Sequence, residues 1–172
     1  MFKKILIIFL LASALLPAQE KKPKKEAKPI LHEVSNKDVV QGTYPAAAKV
    51  EKVNDYWYKI IDQNNKIIGF AMSSLPYCLT VKGYNNTTPV MILTDKKWII
   101  QKVALLTNWE TLGYVKKLEK KGFFELWVGR SLKEARSVQI DGYTGATCTA
   151  VAVSKNVDFL LTNGIKNLPR TN

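Results

Sequence analysis

The chain has 172 residues, 47% of them apolar and 23% charged, a balance that excludes general disorder and provides one ordinary domain core. A single histidine and two cysteines exclude a histidine metal cluster and a disulfide-dense scaffold. Net charge is +12, but the basic residues are scattered and accompany no nucleic-acid motif, so nucleic acid is not an expected partner.

Lys3 and Lys4 precede a run from Ile5 to Leu16 that is apolar except for Ser13, followed by Pro17 and the small Ala18. The run is shorter than the ~20 residues that span a bilayer, and the pattern is that of an export signal over residues 1–18; a retained membrane anchor is the alternative. Residues 19–30 hold five Lys, two Glu and two Pro, with no apolar periodicity to offset the entropy of ordering them. They read as a tether, and their lysines also suit an anionic membrane surface. Leader and tether account for +5, which leaves +7 for a domain over residues 31–172, a field suited to an acidic partner. His32 stands beside the tether.

Within the domain, residues 37–41 suggest a short helix ended by Gly42, and Pro45 suits the first turn of a second. Residues 56–61 and 66–72 are β-rich and separated by Asp62-Gln63-Asn64-Asn65, a hairpin composition. A loop from Gly83 to Thr88 leads into a strand over 89–94, and Asp95-Lys96 turns the chain into another over 98–107. Residues 114–121 have helical spacing and stop at Gly122. Ser131 and Glu134 form a capping-box pattern, and Val138 to Ile140 is a brief strand candidate. Ala150 to Asn163 is the strongest helix, with Val153, Val157, Leu160 and Leu161 on one face and Asn163-Gly164 as its close. Strands in a block with helices at both ends predict an α+β fold, an antiparallel sheet flanked by helices.

Between Ile140 and that last helix lies Asp141-Gly142-Tyr143-Thr144-Gly145-Ala146-Thr147-Cys148-Thr149. A turn entering a helix start attracts phosphate, because free N–H groups and the positive end of the helix dipole both meet the anion. Gly145 and Ala146 allow close approach, and Thr144, Thr147 and Thr149 supply hydroxyls. The same residue types also suit plain helix capping, and spacing alone leaves both readings open. Cys148, inside this stretch, is a small, partly buried side chain or half of a disulfide with Cys78.

The stretch resembles the flavinylation motif of the FMN-binding domain family: Asp, two residues, Ser or Thr, Gly, Ala, Ser or Thr, any residue, then the modified Ser or Thr. Asp141, Thr144, Gly145, Ala146, Thr147 and Thr149 fill all six constrained positions, a coincidence expected about once in ten thousand chains of this length. The resemblance extends upstream through Tyr44-Pro45-Ala46, Gly83-Tyr84, Pro89-Val90 and Glu110-Thr111-Leu112-Gly113. It departs at Leu112, where proline is common, and at Ala150, where serine is frequent.

The resemblance implies FMN esterified to Thr149 through its phosphate, transferred from FAD by a magnesium-dependent flavin transferase outside the cytoplasmic membrane. Asp141 would serve recognition by that enzyme, Gly145 and Ala146 would keep the acceptor accessible, and the turn at Glu110, Thr111 and Gly113 would lie beside the flavin. Trp109 and Tyr114 would add an aromatic surface there or pack in the core; Trp57, Trp98 and Trp127 are core candidates. The expected protein is an exported electron carrier, serving donor and acceptor proteins or a quinone-linked complex at the periplasmic face of the membrane. A noncatalytic module for a free anionic ligand and a flavin-dependent reductase of a small substrate are the alternatives. The sequence holds no second acid, base or metal-binding cluster that would mark a stand-alone enzyme.

Overall fold

A computed structural model describes residues 36–140 and 145–170. The expected leader (1–18) and tether (19–30), the domain start near Leu31, and His32 lie outside the described residues. So do Asp141 and Thr144.

The first described element, α1 (Asn36–Thr43), buries Val39 and Val40 and runs one residue past Gly42. Pro45 does not open a helix. The Ala47 N–H donates to the Tyr44 carbonyl at 2.9 Å, closing a turn in which Pro45 holds the position its fixed φ favours. β1 (Ala47–Lys52) follows, a strand with no apolar alternation to announce it, since only Ala47 is buried. It lies at the sheet edge, paired to β2 (Trp57–Asp62). The Glu51 carboxylate meets Lys49 at 2.7 Å and Lys59 at 2.9 Å, and hydrogen bonds from these two ammonium groups hold its pKa down at about 2.

The hairpin from β2 to β3 (Ile67–Ser73) forms where expected. Asp62 Oδ1 accepts the N–H groups of Asn64 at 2.8 Å and Lys66 at 2.9 Å, and Asn65 takes the left-handed φ of 59° that Asn tolerates. β4 (Val90–Thr94) and β5 (Ile100–Leu105) complete an antiparallel sheet in the order β1-β2-β3-β4-β5. β5 starts later than expected because Trp98 sits at φ 65° in a turn pinned by Asp95 Oδ1, which accepts from Lys97 and Ile99.

The sheet separates two cores. Trp57, Phe70, Met72, Val90, Ile92, Ile100, Val103 and Leu105 face α2 (Leu112–Lys120), α3 (Leu132–Arg136) and α4 (Thr147–Lys166). Ile60, Ala71, Met91, Leu93 and Ala104 face α1. All three of the expected core tryptophans join the helix-covered side, Trp98 at its margin. Gly122 follows α2 with φ 65°, the left-handed stop its sequence position suggests. The Ser131 capping box forms as expected, and its backbone hydrogen bond lowers the Glu134 pKa.

Val138 to Ile140 is not a strand. Among the described residues no strand pairs with it, and Val138 and Ile140 instead pack part-buried against the helix-side core. Gly164 likewise does not end α4, which continues to Lys166. The Trp57 indole N–H donates to the Gly164 carbonyl at 3.0 Å, and the Met72 sulfur presses into the space a Cβ would need. This glycine serves close packing, not chain reversal. Cys78 is buried, and Cys148 is exposed and not part-buried as the sequence suggested; each is a free thiol.

On the α1 side, Tyr44 lies across Gly69, and its hydroxyl donates to the Thr94 carbonyl at 2.8 Å. A Cβ at Gly69 would stand 2.7 Å from both that carbonyl oxygen and Tyr44 Cζ. Gly69→Ala should therefore lower stability by about 1–3 kcal/mol in urea denaturation, an overpacking cost against rigid backbone.

Burial, with the nearby Asp95 charge, pushes the Tyr44 phenol from its ordinary 10.0 up to about 12. A raised acid favours the neutral form in the fold, so its contribution is complete below pH 10 and is lost as pH rises through about 12. Urea midpoints between pH 10 and pH 12 should fall less steeply for Tyr44→Phe than for the wild type.

Candidate functional site

The longest helix begins at Thr147, earlier than apolar periodicity alone would start it. Thr149 consequently lies inside the first turn of α4. Its neighbours along the buried stripe are Ala152, Val153 and Asn156, the i, i+3, i+4 and i+7 positions of one helix face. This spacing turns the Thr149 hydroxyl inward, and the residue is 0% exposed. Thr149, the expected acceptor, is thus covered, in contrast to the accessible position the resemblance implied; Thr147 and Cys148 are the exposed residues of this turn.

The Thr149 hydroxyl donates to Glu110 Oε2, a buried contact across 39 residues of sequence. Glu110 is itself 0% exposed, and burying a carboxylate is costly unless its oxygens are hydrogen-bonded. Its second oxygen accepts the backbone N–H of Asn85 at 3.1 Å. Gly83 makes room for it: a Cβ there would lie 2.5 Å from Glu110 Oε1 and 2.8 Å from the Thr88 methyl.

A frame of asparagines holds the carboxylate in place. Asn108 accepts the Glu110 N–H through Oδ1 at 2.9 Å and donates to the Leu106 carbonyl at 2.8 Å. Asn85 donates to the Trp109 carbonyl at 2.8 Å and to the Thr111 hydroxyl at 3.4 Å. From α4, Asn156 donates to the Thr88 carbonyl at 2.9 Å. Loop 83–88, turn 106–111 and the start of α4 are therefore one hydrogen-bonded unit. Asn85, Asn108 and Asn156 carry this frame and were not site candidates on sequence; their signal is weak because isolated asparagines belong equally to turns and surfaces.

Beside this buried pair lies an open cleft of about 220 Å³, lined by Tyr84, Tyr114 and Gly145 to Thr149. The two tyrosine rings meet edge to face, 5.3 Å apart. Trp109 is half-buried and does not line the cleft. Gly145 has φ 84°, and the Lys117 ammonium occupies the space next to its Cα where a side chain would project. Ala146 holds the N-cap of α4 and contributes no capping oxygen, and the first turn contains no acidic residue. A cation and the positive end of a helix dipole thus converge, an arrangement favourable to an anion.

Thr111 is the N-cap of α2, and Gly113 lies in that helix with open space around it. A larger cleft of about 430 Å³ lies elsewhere, between α1, β1 and the segment around Pro76, and holds none of the motif residues.

The architecture and site define an α+β domain with an anion-favouring helix start beside an aromatic cleft. The model of the FMN-binding domain matches residues 83–162. Among solved structures, the chain is similar to the crystal structure of Shewanella oneidensis NqrC, with 16% identity and a TM-score of 0.43 over 73% of this chain and 74% of that one. No curated protein matches it.

The departure at Leu112 has a structural explanation. Leu112 is the first residue of α2, a position proline favours, and Thr111 before it is extended at φ −66° and ψ 125°, as a residue preceding proline must be. Leu112→Pro should be neutral or stabilising by about 0.4–1 kcal/mol, as read from thermal and urea unfolding.

Proposed function

We propose that the chain is an exported electron-transfer flavoprotein carrying FMN through a phosphoester on Thr149. One observation carries the reading. The Glu110 turn and the Asp141 to Thr149 motif, distant in sequence and both suggested by the family resemblance, meet through the hydrogen bond between Glu110 and Thr149, inside the segment matched as an FMN-binding domain.

The residues present fit such a group. Lys117 and the start of α4 would hold the phosphate, with Gly145 and Ala146 admitting it close to the backbone and Thr147 adding a hydroxyl. Tyr84 and Tyr114 would flank the ring. Asp141 and Thr144 complete the motif outside the described residues. The cleft, about 220 Å³, is smaller than the ~300–1,000 Å³ of pockets that enclose a ligand, so part of the flavin would remain open to a redox partner. FMN supplies one- and two-electron chemistry; the domain fixes, orients and partly shields it. Cys148, exposed in the same cleft, would lie at the edge of the bound group.

Export through residues 1–18 would place the chain where the flavin transferase works, and a covalent link would keep the flavin from diffusing away. The +7 domain would favour acidic donor or acceptor proteins, or subunits of a quinone-linked complex. The lysine-rich residues 19–30 would set the domain near the membrane surface.

Coexpression with a flavin transferase should yield a flavin-fluorescent band that survives denaturing electrophoresis, with a matching increase in intact mass. Thr149→Ser should retain it and Thr149→Ala should lose it. Fluorescence that persists in Thr149→Ala, or flavin released from the wild type by denaturation, would overturn the reading.

A further inference from the structure

We propose that Glu110 is the base that activates Thr149 for its own modification. This rests on the reading that Thr149 accepts FMN, and it assigns the proton-transfer step to this chain. A threonine hydroxyl is a weak nucleophile until a neighbouring base takes its proton. Here the hydroxyl already donates to a carboxylate oxygen, the contact a general base requires before transfer.

The surroundings favour proton transfer over simple capping. Among the described residues no Lys or Arg forms an ion pair with Glu110, so the carboxylate is not committed to a cation. Asn85 occupies Oε1 and Asn108 fixes the backbone, leaving Oε2 turned to Thr149. Gly83 supplies the space that lets the carboxylate approach.

The step balances without oxidation or reduction. Thr149 Oγ1 bonds to the flavin-side phosphorus of FAD as its proton passes to Glu110 Oε2. The bond from that phosphorus to the bridging oxygen breaks, and AMP leaves with the electron pair. Because Thr149 is covered, the first turn of α4 and the Glu110 turn must part enough to admit the phosphorus, while the hydroxyl and carboxylate remain within reach of each other.

The test is the rate of flavin attachment by purified transferase with FAD and magnesium, followed by intact mass. Wild type, Thr149→Ala, Glu110→Gln and Glu110→Ala are compared, each with and without formate. Both Glu110 variants should react about 10²-fold more slowly or worse. Formate, a small carboxylate that fits the space vacated in Glu110→Ala, should speed that variant and leave the wild type and Glu110→Gln unchanged.

Thermal unfolding identifies the folded variants, and Glu110→Gln, which keeps the side-chain shape, serves if Glu110→Ala does not fold. A folded variant that reacts within about threefold of wild type overturns the proposal, as does a slow, folded Glu110→Ala that formate fails to rescue. If the wild type takes no flavin, or Thr149→Ala takes as much, the assignment of Thr149 itself fails, a result distinct from the failure of Glu110.

Discussion

The burial of one carboxylate governs the geometry at this end of the molecule. Glu110 has no exposed surface, and a charge in that position is tolerable only if hydrogen bonds replace the water it has lost. Its partners come from separate stretches of chain: the Asn85 backbone, the Thr149 side chain and, one step removed, Asn108. Each partner must stand within hydrogen-bonding distance, so the carboxylate ties loop 83–88, turn 106–111 and α4 to one another. The aromatic cleft inherits this order, since Tyr84 follows Gly83, Tyr114 begins three residues after Thr111, and the other wall is the start of α4.

The sheet provides the rigid support. β4 is buried on both faces, and the strands around it send alternate residues to two separate cores. α4 crosses the helix-covered face and is held at its far end by Trp57 and Met72 against Gly164. That packing fixes the helix along its length, so the position of its first turn follows from contacts far from the site. Asn156 performs the same service near the site, one polar residue on an apolar stripe that binds loop 83–88 to the helix.

Much of the fold was legible because its signals are local. The Asp62 hairpin, the Ser131 capping box, the Gly122 stop and the stripe of α4 each depend on residues a few positions apart. β1 was missed because an edge strand of Lys, Val and Glu owes its form to a neighbour and ion pairs, not to apolar alternation. Pro45 suits a helix start and a tight turn equally in sequence, and the bond from Ala47 to Tyr44 selects the turn; at Gly164, Trp57 and Met72, arriving from elsewhere, decide the role. The site divides in the same way. The motif ending at Thr149 is contiguous and could be read directly, as could the turn at Glu110 through its resemblance. Their direct contact could not, and neither could the asparagine frame, because it joins positions tens of residues apart.

The placement of α1 has a consequence for orientation. It covers the face of the sheet opposite α4, and it is the first described element of the chain. The described chain therefore opens on the α1 side, with the thickness of the sheet between Asn36 and the helix bearing Thr149.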